Sequence, residues 1–184
     1  MCIRDRSITD QLKTSNSATI DIGEITSGDD DPVKVQQAVR SSLATLATMA
    51  NADDQAEKLS KKTVKFADVE GVEVDMSGVQ TTAIGLTYRK EIKEASIANN
   101  TPSSFSTDFG GMTIKNYEVK ENDFVAAGSE WQTAADNGYS GAAYCFTYGL
   151  FGTLYAKPGE TVTVSNLTVK DVHMNLNGAT ETIG

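Results

Sequence analysis

The chain has 184 residues, 39% of them hydrophobic, and a formal net charge of −9 at pH 7. This length suits one domain whose hydrophobic core needs no disulfide or metal to hold it. A surface this acidic repels phosphate backbones, so the composition argues against nucleic-acid binding. The apolar runs are far shorter than the ~20 residues of a membrane-spanning helix, so no membrane span is expected.

Residues 1–6, MCIRDR, resemble the translation of a sequencing adapter. We expect that they do not belong to the natural protein, and that its true beginning, with any signal peptide, lies upstream. Segments of this kind are kept out of fold reasoning, so the predicted elements start at Ser7. The first of them is a short alternating patch at residues 18–25, which predicts a single edge strand.

The clearest local pattern is an amphipathic helix that begins after consecutive aspartates. Asp31 suits the N-cap position, and Pro32 suits the first turn. Hydrophobic residues then follow at spacings of four and three: Val35, Val39, Leu43, Leu46 and Ala50. The pattern predicts a helix over residues 32–50, extended to about 59, within an N-terminal segment of residues 7–62. Its narrow, alanine-rich stripe suits packing on a sheet or against a second copy of the helix.

The aspartates at 29–31 also suggest a calcium loop. Such loops space their oxygen ligands through a turn, as in the pattern D-x-D-x-D-G. Here the acidic residues are consecutive and their side chains diverge, so helix capping is the favoured interpretation.

Beyond residue 62 the hydrophobic pattern changes to period 2, which is typical of strands with one buried face. The alternating groups lie at 64–66, 72–76, 84–88, 112–119 and 144–176. Because helices do not alternate regularly with these strands, their order argues against a parallel sheet. We therefore expect a mainly β protein: an antiparallel, jelly-roll-like β-sandwich over residues 63–184, with one N-terminal helix.

The sequence lacks the residues that most catalytic and metal sites require. His173 is the single histidine, and Cys145 is the single cysteine outside residues 1–6. Histidine metal triads and thiolate cages are therefore excluded, and there is no P-loop or G-x-S-x-G motif. Carboxylate pairs such as Glu130 with Asp136 stay open, although nothing fixes their separation. We expect no enzyme activity, no cofactor and no metal.

Two aromatic residues in a predicted loop are the candidates for ligand binding. Trp131 and Tyr139 lie in the polar stretch 126–141. Aromatic rings in a loop stack on the apolar faces of sugars or anchor a protein interface. The alternative is that Trp131 packs under its own loop as part of the core.

Residues 142–174 carry a resemblance to a known family. The turn sequence Tyr155-Ala156-Lys157-Pro158-Gly159-Glu160 is followed by TVTVSNLTV at 161–169. This stretch resembles the closing strands of jelly-roll modules, which occur as carbohydrate-binding appendages of enzymes and as proteins of phage particles. The resemblance implies a sandwich fold and a binding or structural role.

These observations leave more than one functional hypothesis open. The first is a non-catalytic structural or assembly protein of a virion or cell-surface appendage, extracellular or particle-borne, which forms a homo-oligomer. The second is a carbohydrate-binding β-sandwich module that takes a glycan at Trp131 and Tyr139. The third is the fragment of an enzyme that lacks its N-terminus.

Overall fold

The computed structural model describes residues 7–51, 57–79, 83–85, 88–89, 103–120, 145–146, 149–152 and 154–175. Its helices are α1 (Ile8–Leu12), α2 (Ile22–Ile25) and α3 (Pro32–Asn51). Its strands are β1 (Ser17–Asp21), β2 (Thr63–Ala67), β3 (Glu73–Asp75), β4 (Tyr88–Arg89), β5 (Ser106–Lys115), β6 (Glu118–Lys120), β7 (Cys145–Phe146), β8 (Val164–Lys170) and β9 (His173–Asn175).

The main sheet has five strands, and every pairing within it is parallel. β1 pairs with β2, and β2 pairs with the first half of β5. β3 pairs with the second half of β5, while β8 pairs with both halves. β2 and β3 therefore share one side of β5, and β8 occupies the other. With helices between its strands, this sheet belongs to an α/β-type fold.

The prediction of an antiparallel, jelly-roll-like β-sandwich is therefore wrong. It depended on the order of the elements, in which helices do not alternate regularly with strands, and on a period-2 pattern typical of strands with one face exposed to solvent. Alternation of hydrophobic and polar residues shows only that one face of a strand is exposed to solvent. The parallel strand β5 itself alternates between buried and half-exposed residues along most of its length. The long segments 22–62, 68–105 and 116–163 supply the crossover connections that parallel pairing requires.

The predicted helix is confirmed as α3, Pro32–Asn51. Asp31 caps it: its Oδ1 accepts a hydrogen bond from the Val33 N–H at 2.9 Å, and its carbonyl accepts from the Val35 N–H at 3.0 Å. Residues 57–59 are again helical, and 52–56 lie outside the described residues. The aspartates therefore serve the helix start, as the spacing argument predicts.

One hydrophobic core joins α3 to the sheet. Its members come from the helices, from β1 and from the strands that follow residue 62. The predicted division into segments 7–62 and 63–184 remains a prediction, and β1 pairs with β2 across it. The largest fully buried side chains include Phe109, Ile22, Leu46, Leu59, Met76, Ile84, Met112 and Ile114.

The strands β2, β3, β5, β6, β8 and β9 form three stacked segments of the chain, while β4 and β7 pair separately in an antiparallel sheet. We call residues 63–75 the inner segment, 106–120 the middle segment and 164–175 the outer segment. β2 and β3 of the inner segment lie along β5 of the middle one. β5 in turn lies along β8, and β6 pairs with β9 in parallel.

Gly110 permits the close approach of the inner and middle segments. Its φ is +63°, and a Cβ placed on it would lie 2.5 Å from the Phe66 carbonyl oxygen. Only glycine tolerates both conditions, since it has no Cβ and enters the left-handed region freely. The bend of β5 therefore depends on this residue.

The predicted turn at Lys157–Glu160 is present, since the Glu160 N–H donates to the Lys157 carbonyl at 2.9 Å. Its continuation differs from the closing hairpin that a jelly roll requires. The following strand, β8, pairs with β5 in parallel. A proline–glycine turn fixes only the local reversal of the chain, and it does not select the strand that the next residues join.

Candidate functional site

The residues predicted to bind a ligand, Trp131 and Tyr139, lie outside the described residues. Glycan binding there stays a prediction. The face of α3 that was considered for self-association is used within the chain, since Val39, Leu43 and Leu46 are buried in the core. Two edges of the main sheet, those of β1 and β8, are the features of the described residues that bear on function.

The first edge is β1, and the side chain of Gln11 covers it. The Gln11 amide nitrogen donates to the Thr19 carbonyl at 2.9 Å, and its amide oxygen accepts from the Thr19 N–H at 2.7 Å. Gln11 thus makes the pair of bonds that a neighbouring strand would make. Ser7 holds α1 in place for this role by capping its first turn, accepting from the Asp10 N–H. An edge covered in this way cannot accept another strand there.

The second edge is β8, and its far side pairs with no strand among the described residues. Among the residues that the structure describes, the strand that pairs with β8 is β5 alone. The far side of β8 therefore presents backbone groups without a strand partner. Unpaired backbone groups along an edge strand are a template for pairing with another chain.

Rows of side chains that cross the sheet end at this edge. In one row Val74 aligns with Ile114, and Ile114 aligns with Val169. Val74 and Ile114 are fully buried, whereas Val169 is 41% exposed. Aligned residues of a parallel sheet lie on the same face. Val169 is thus a core-facing residue that lacks a neighbour on one side.

A second row repeats the pattern. Val64 aligns closely with Thr107, which in turn aligns with Val164. The first two are buried, and Val164 is 39% exposed. Val172, between β8 and β9, is 51% exposed. The outer segment therefore exposes a line of valines, whereas the aligned residues of the inner and middle segments are buried.

The charge of the outer segment differs from that of the chain as a whole. Residues 164–175 contain one lysine, Lys170, and one aspartate, Asp171, whose formal charges cancel. The chain carries −9 overall. Like charges on two copies of an acidic protein repel each other, so a neutral stretch is the place where two copies meet at least cost.

Polar contacts hold the outer segment on the middle one. The Asn166 side chain donates to the Asp108 carboxylate at 2.8 Å, and this bond is the main reason that the pKa of Asp108 lies below its ordinary value. Glu73 accepts from Lys115 at 3.0 Å and from Lys170 at 3.4 Å, and these partners, Lys115 first, lower the Glu73 pKa. The outer segment is therefore fixed in position, although no described strand pairs with its far edge.

Other kinds of site are not seen in the described part of the chain. No three histidine, cysteine, aspartate or glutamate side chains within it come together as a metal-binding group. His173 lies in β9 and is exposed. No helix among the described residues is both long enough and apolar enough to cross a membrane.

Comparison with known proteins gives no match by family model, by curated protein or by solved structure. The chemistry of the chain's own surface is therefore the basis for any functional proposal. The sequence pattern places Val164 and Val169 on strand faces, but it does not show that they lie on an edge strand and are exposed. It also missed Gln11, whose role depends on a fold-level neighbour and leaves no local pattern.

Proposed function

We propose that this chain is a non-catalytic structural or assembly protein whose copies associate through the outer segment. The observation that carries the proposal is the row Val74–Ile114–Val169, which is fully buried at two positions and 41% exposed at the third. A further strand beside β8 would bury Val169 and Val164 and satisfy the open backbone groups. Burial of apolar area at such an edge is the main driving force for association.

The proposed partner is a second copy of the same chain. β1 is covered by Gln11, so a head-to-tail filament that joins β8 to β1 is disfavoured. Two β8 edges instead meet around a two-fold axis, which makes them antiparallel and keeps both cores on the same side of one continuous sheet. Such an isologous contact closes on itself as a dimer. The neutral charge of residues 164–175 permits this contact in a chain of net charge −9.

The virion or extracellular setting expected from the sequence stays a prediction, since no feature of the described residues indicates a compartment. Glu130 and Asp136, the carboxylates that the sequence leaves open for catalysis, lie outside the described residues, so the absence of enzyme activity stays a prediction. The assembly proposal depends on β8 alone.

The test is the mass of the full chain in solution, measured by light scattering over a concentration series. We expect a dimer that dissociates on dilution. Val169→Lys places a charge in the contact and raises the dissociation constant at least about tenfold, because a buried unpaired charge is costly.

Val33→Lys is the matched control. Val33 is the most exposed of the exposed large hydrophobic residues in the described part, at 71%, and it lies at the start of α3, away from β8. The same substitution there leaves the dimer unchanged. A monomeric wild-type chain at all concentrations, or equal effects of the two substitutions, would overturn the proposal. Circular dichroism confirms that each variant is folded.

A further inference from the structure

A groove lies at the β1 edge of the main sheet, the edge opposite β8. It is formed where α3 faces α1 and β1. It has a volume of about 620 Å³. Its buried lining is largely apolar, with Ile8 from α1, Ile20 from β1 and Ala38 from α3. This size is within the range of roughly 300–1,000 Å³ that is typical of small-molecule sites.

One buried polar side chain in this groove has no hydrogen-bond partner among the described residues. Ser42 lines the groove and is 9% exposed. Its hydroxyl makes no hydrogen bond to any residue that the structure describes, whereas Thr45 and Thr48 of the same helix each donate to a backbone carbonyl one turn earlier at 2.9 Å. A buried hydroxyl without a partner is unfavourable, and buried polar groups are nearly always hydrogen-bonded.

The charge at the rim of the groove is already balanced. Lys34 is the one charged residue in the lining, and its ammonium group pairs with the Asp29 carboxylate. The hydrogen bond from Lys34 lowers the pKa of Asp29, so the Asp29 carboxylate is charged at neutral pH. No net charge is left to attract an anionic or cationic ligand.

We propose that this groove binds a small, uncharged, apolar molecule that carries one hydroxyl or carbonyl group, with Ser42 as the hydrogen-bond partner of that group. The apolar residues of the lining supply most of the binding free energy through burial of the ligand. The Ser42 hydroxyl selects ligands with a polar group, because it both donates and accepts. This inference does not depend on the assembly proposal, since the groove and β8 lie at different edges of the sheet.

The probes are 2-naphthol and naphthalene, which differ by one hydroxyl. Each is titrated into the full chain, with ¹H–¹⁵N spectra to locate the site and equilibrium dialysis to measure affinity. We expect 2-naphthol to saturate a site whose shifted amides include those of Ile8, Ile20 and Ser42. Ser42→Ala weakens its binding about 2- to 12-fold, the factor that corresponds to a neutral hydrogen bond.

Ser42→Ala leaves naphthalene binding unchanged, because naphthalene has no group that can form a hydrogen bond with Ser42. Alanine is the best helix former, so Ser42→Ala preserves α3. Thr48→Ala is the matched control: it removes a hydroxyl from the same helix outside the groove and changes neither affinity. Absence of saturable 2-naphthol binding, or an equal effect of Ser42→Ala on both probes, would show that the groove is not such a site.

Discussion

Two edges of the main sheet, β1 and β8, pose the same physical problem and meet it differently. At β1 a glutamine side chain from α1 bonds both backbone groups of Thr19, so the edge is filled by a helix of the same chain. At β8 no described residue does this, and valines that continue the core rows are exposed. Edge strands are commonly protected in folded proteins, and the assembly proposal depends on the edge that no described residue protects.

The contrast is sharpest within a single row of side chains, where Ile114 and Val169 are neighbours. Truncation of Ile114 to alanine leaves a cavity in the closed part of the core, so we expect a loss of about 2–5 kcal/mol in the free energy of unfolding. Val169→Ala costs less than about 1 kcal/mol in the dissociated chain, because Val169 is partly exposed there. Urea unfolding at low protein concentration measures both.

The comparison fails if the two truncations cost the same in dilute solution, since that would mean that Val169 is covered within its own chain. Repeating the urea unfolding at high protein concentration measures the contribution of dimerisation to the stability. If β8 is the contact, the Val169→Ala deficit grows with concentration as the wild-type chain gains stability from dimerisation.

The covered edge is tested by uncovering it. Gln11→Ala removes both hydrogen bonds to Thr19, and we expect a loss of about 1–2 kcal/mol in the free energy of unfolding. It also opens a second edge, so light scattering should show masses above that of the wild type. Gln11→Glu keeps an acceptor for the Thr19 N–H and loses the donor, so its effect should be intermediate. Unchanged stability in both variants would contradict the capping role.

The smallest expected effect concerns acid stability where α3 meets the sheet. Asp75 ends β3, and hydrogen bonds from the Ser77 hydroxyl and N–H, then from Asn116, lower its pKa from 3.8 to about 2. Because the folded pKa is depressed, the associated stability is complete above pH 3.8 and is lost as the pH falls towards about 2.

Asp75→Asn should therefore flatten the dependence of stability on pH in that window. Ser77→Ala should return the Asp75 pKa towards its ordinary value, which a carboxyl NMR titration measures directly. An Asp75 titration that is unmoved by Ser77→Ala would show that another group sets its pKa.

The sequence predicts local structure well in this chain. Asp31 and the spacing of Val35, Val39 and Leu43 predict α3, because capping and helical periodicity act over a few residues. The alternating patch at 18–25 predicts a single edge strand. Its first half is confirmed, since it lies in β1 at an edge of the sheet, whereas its second half is wrong, since Ile22–Ile25 form α2. Residues 64–66 likewise fall in a strand, β2.

Strand direction and the candidate sites depend on partners that are distant along the chain. Alternation at Val64 and Phe66 shows which side chains are buried, but not whether the neighbouring strand runs the same way. The cover of Thr19 by Gln11 and the unpaired hydroxyl of Ser42 arise from tertiary packing. No short-range rule marks a glutamine or a serine for such roles.

The stacked arrangement also has a kinetic consequence. Each parallel pairing joins residues separated by a long crossover, so the chain must close large loops before those contacts form, and folding of this kind is slow. The outer segment has only β5 and β6 to attach to among the described strands, so it cannot form before the middle segment is in place. We therefore expect the outer segment to become protected from amide hydrogen exchange after the middle segment and to lose that protection before it.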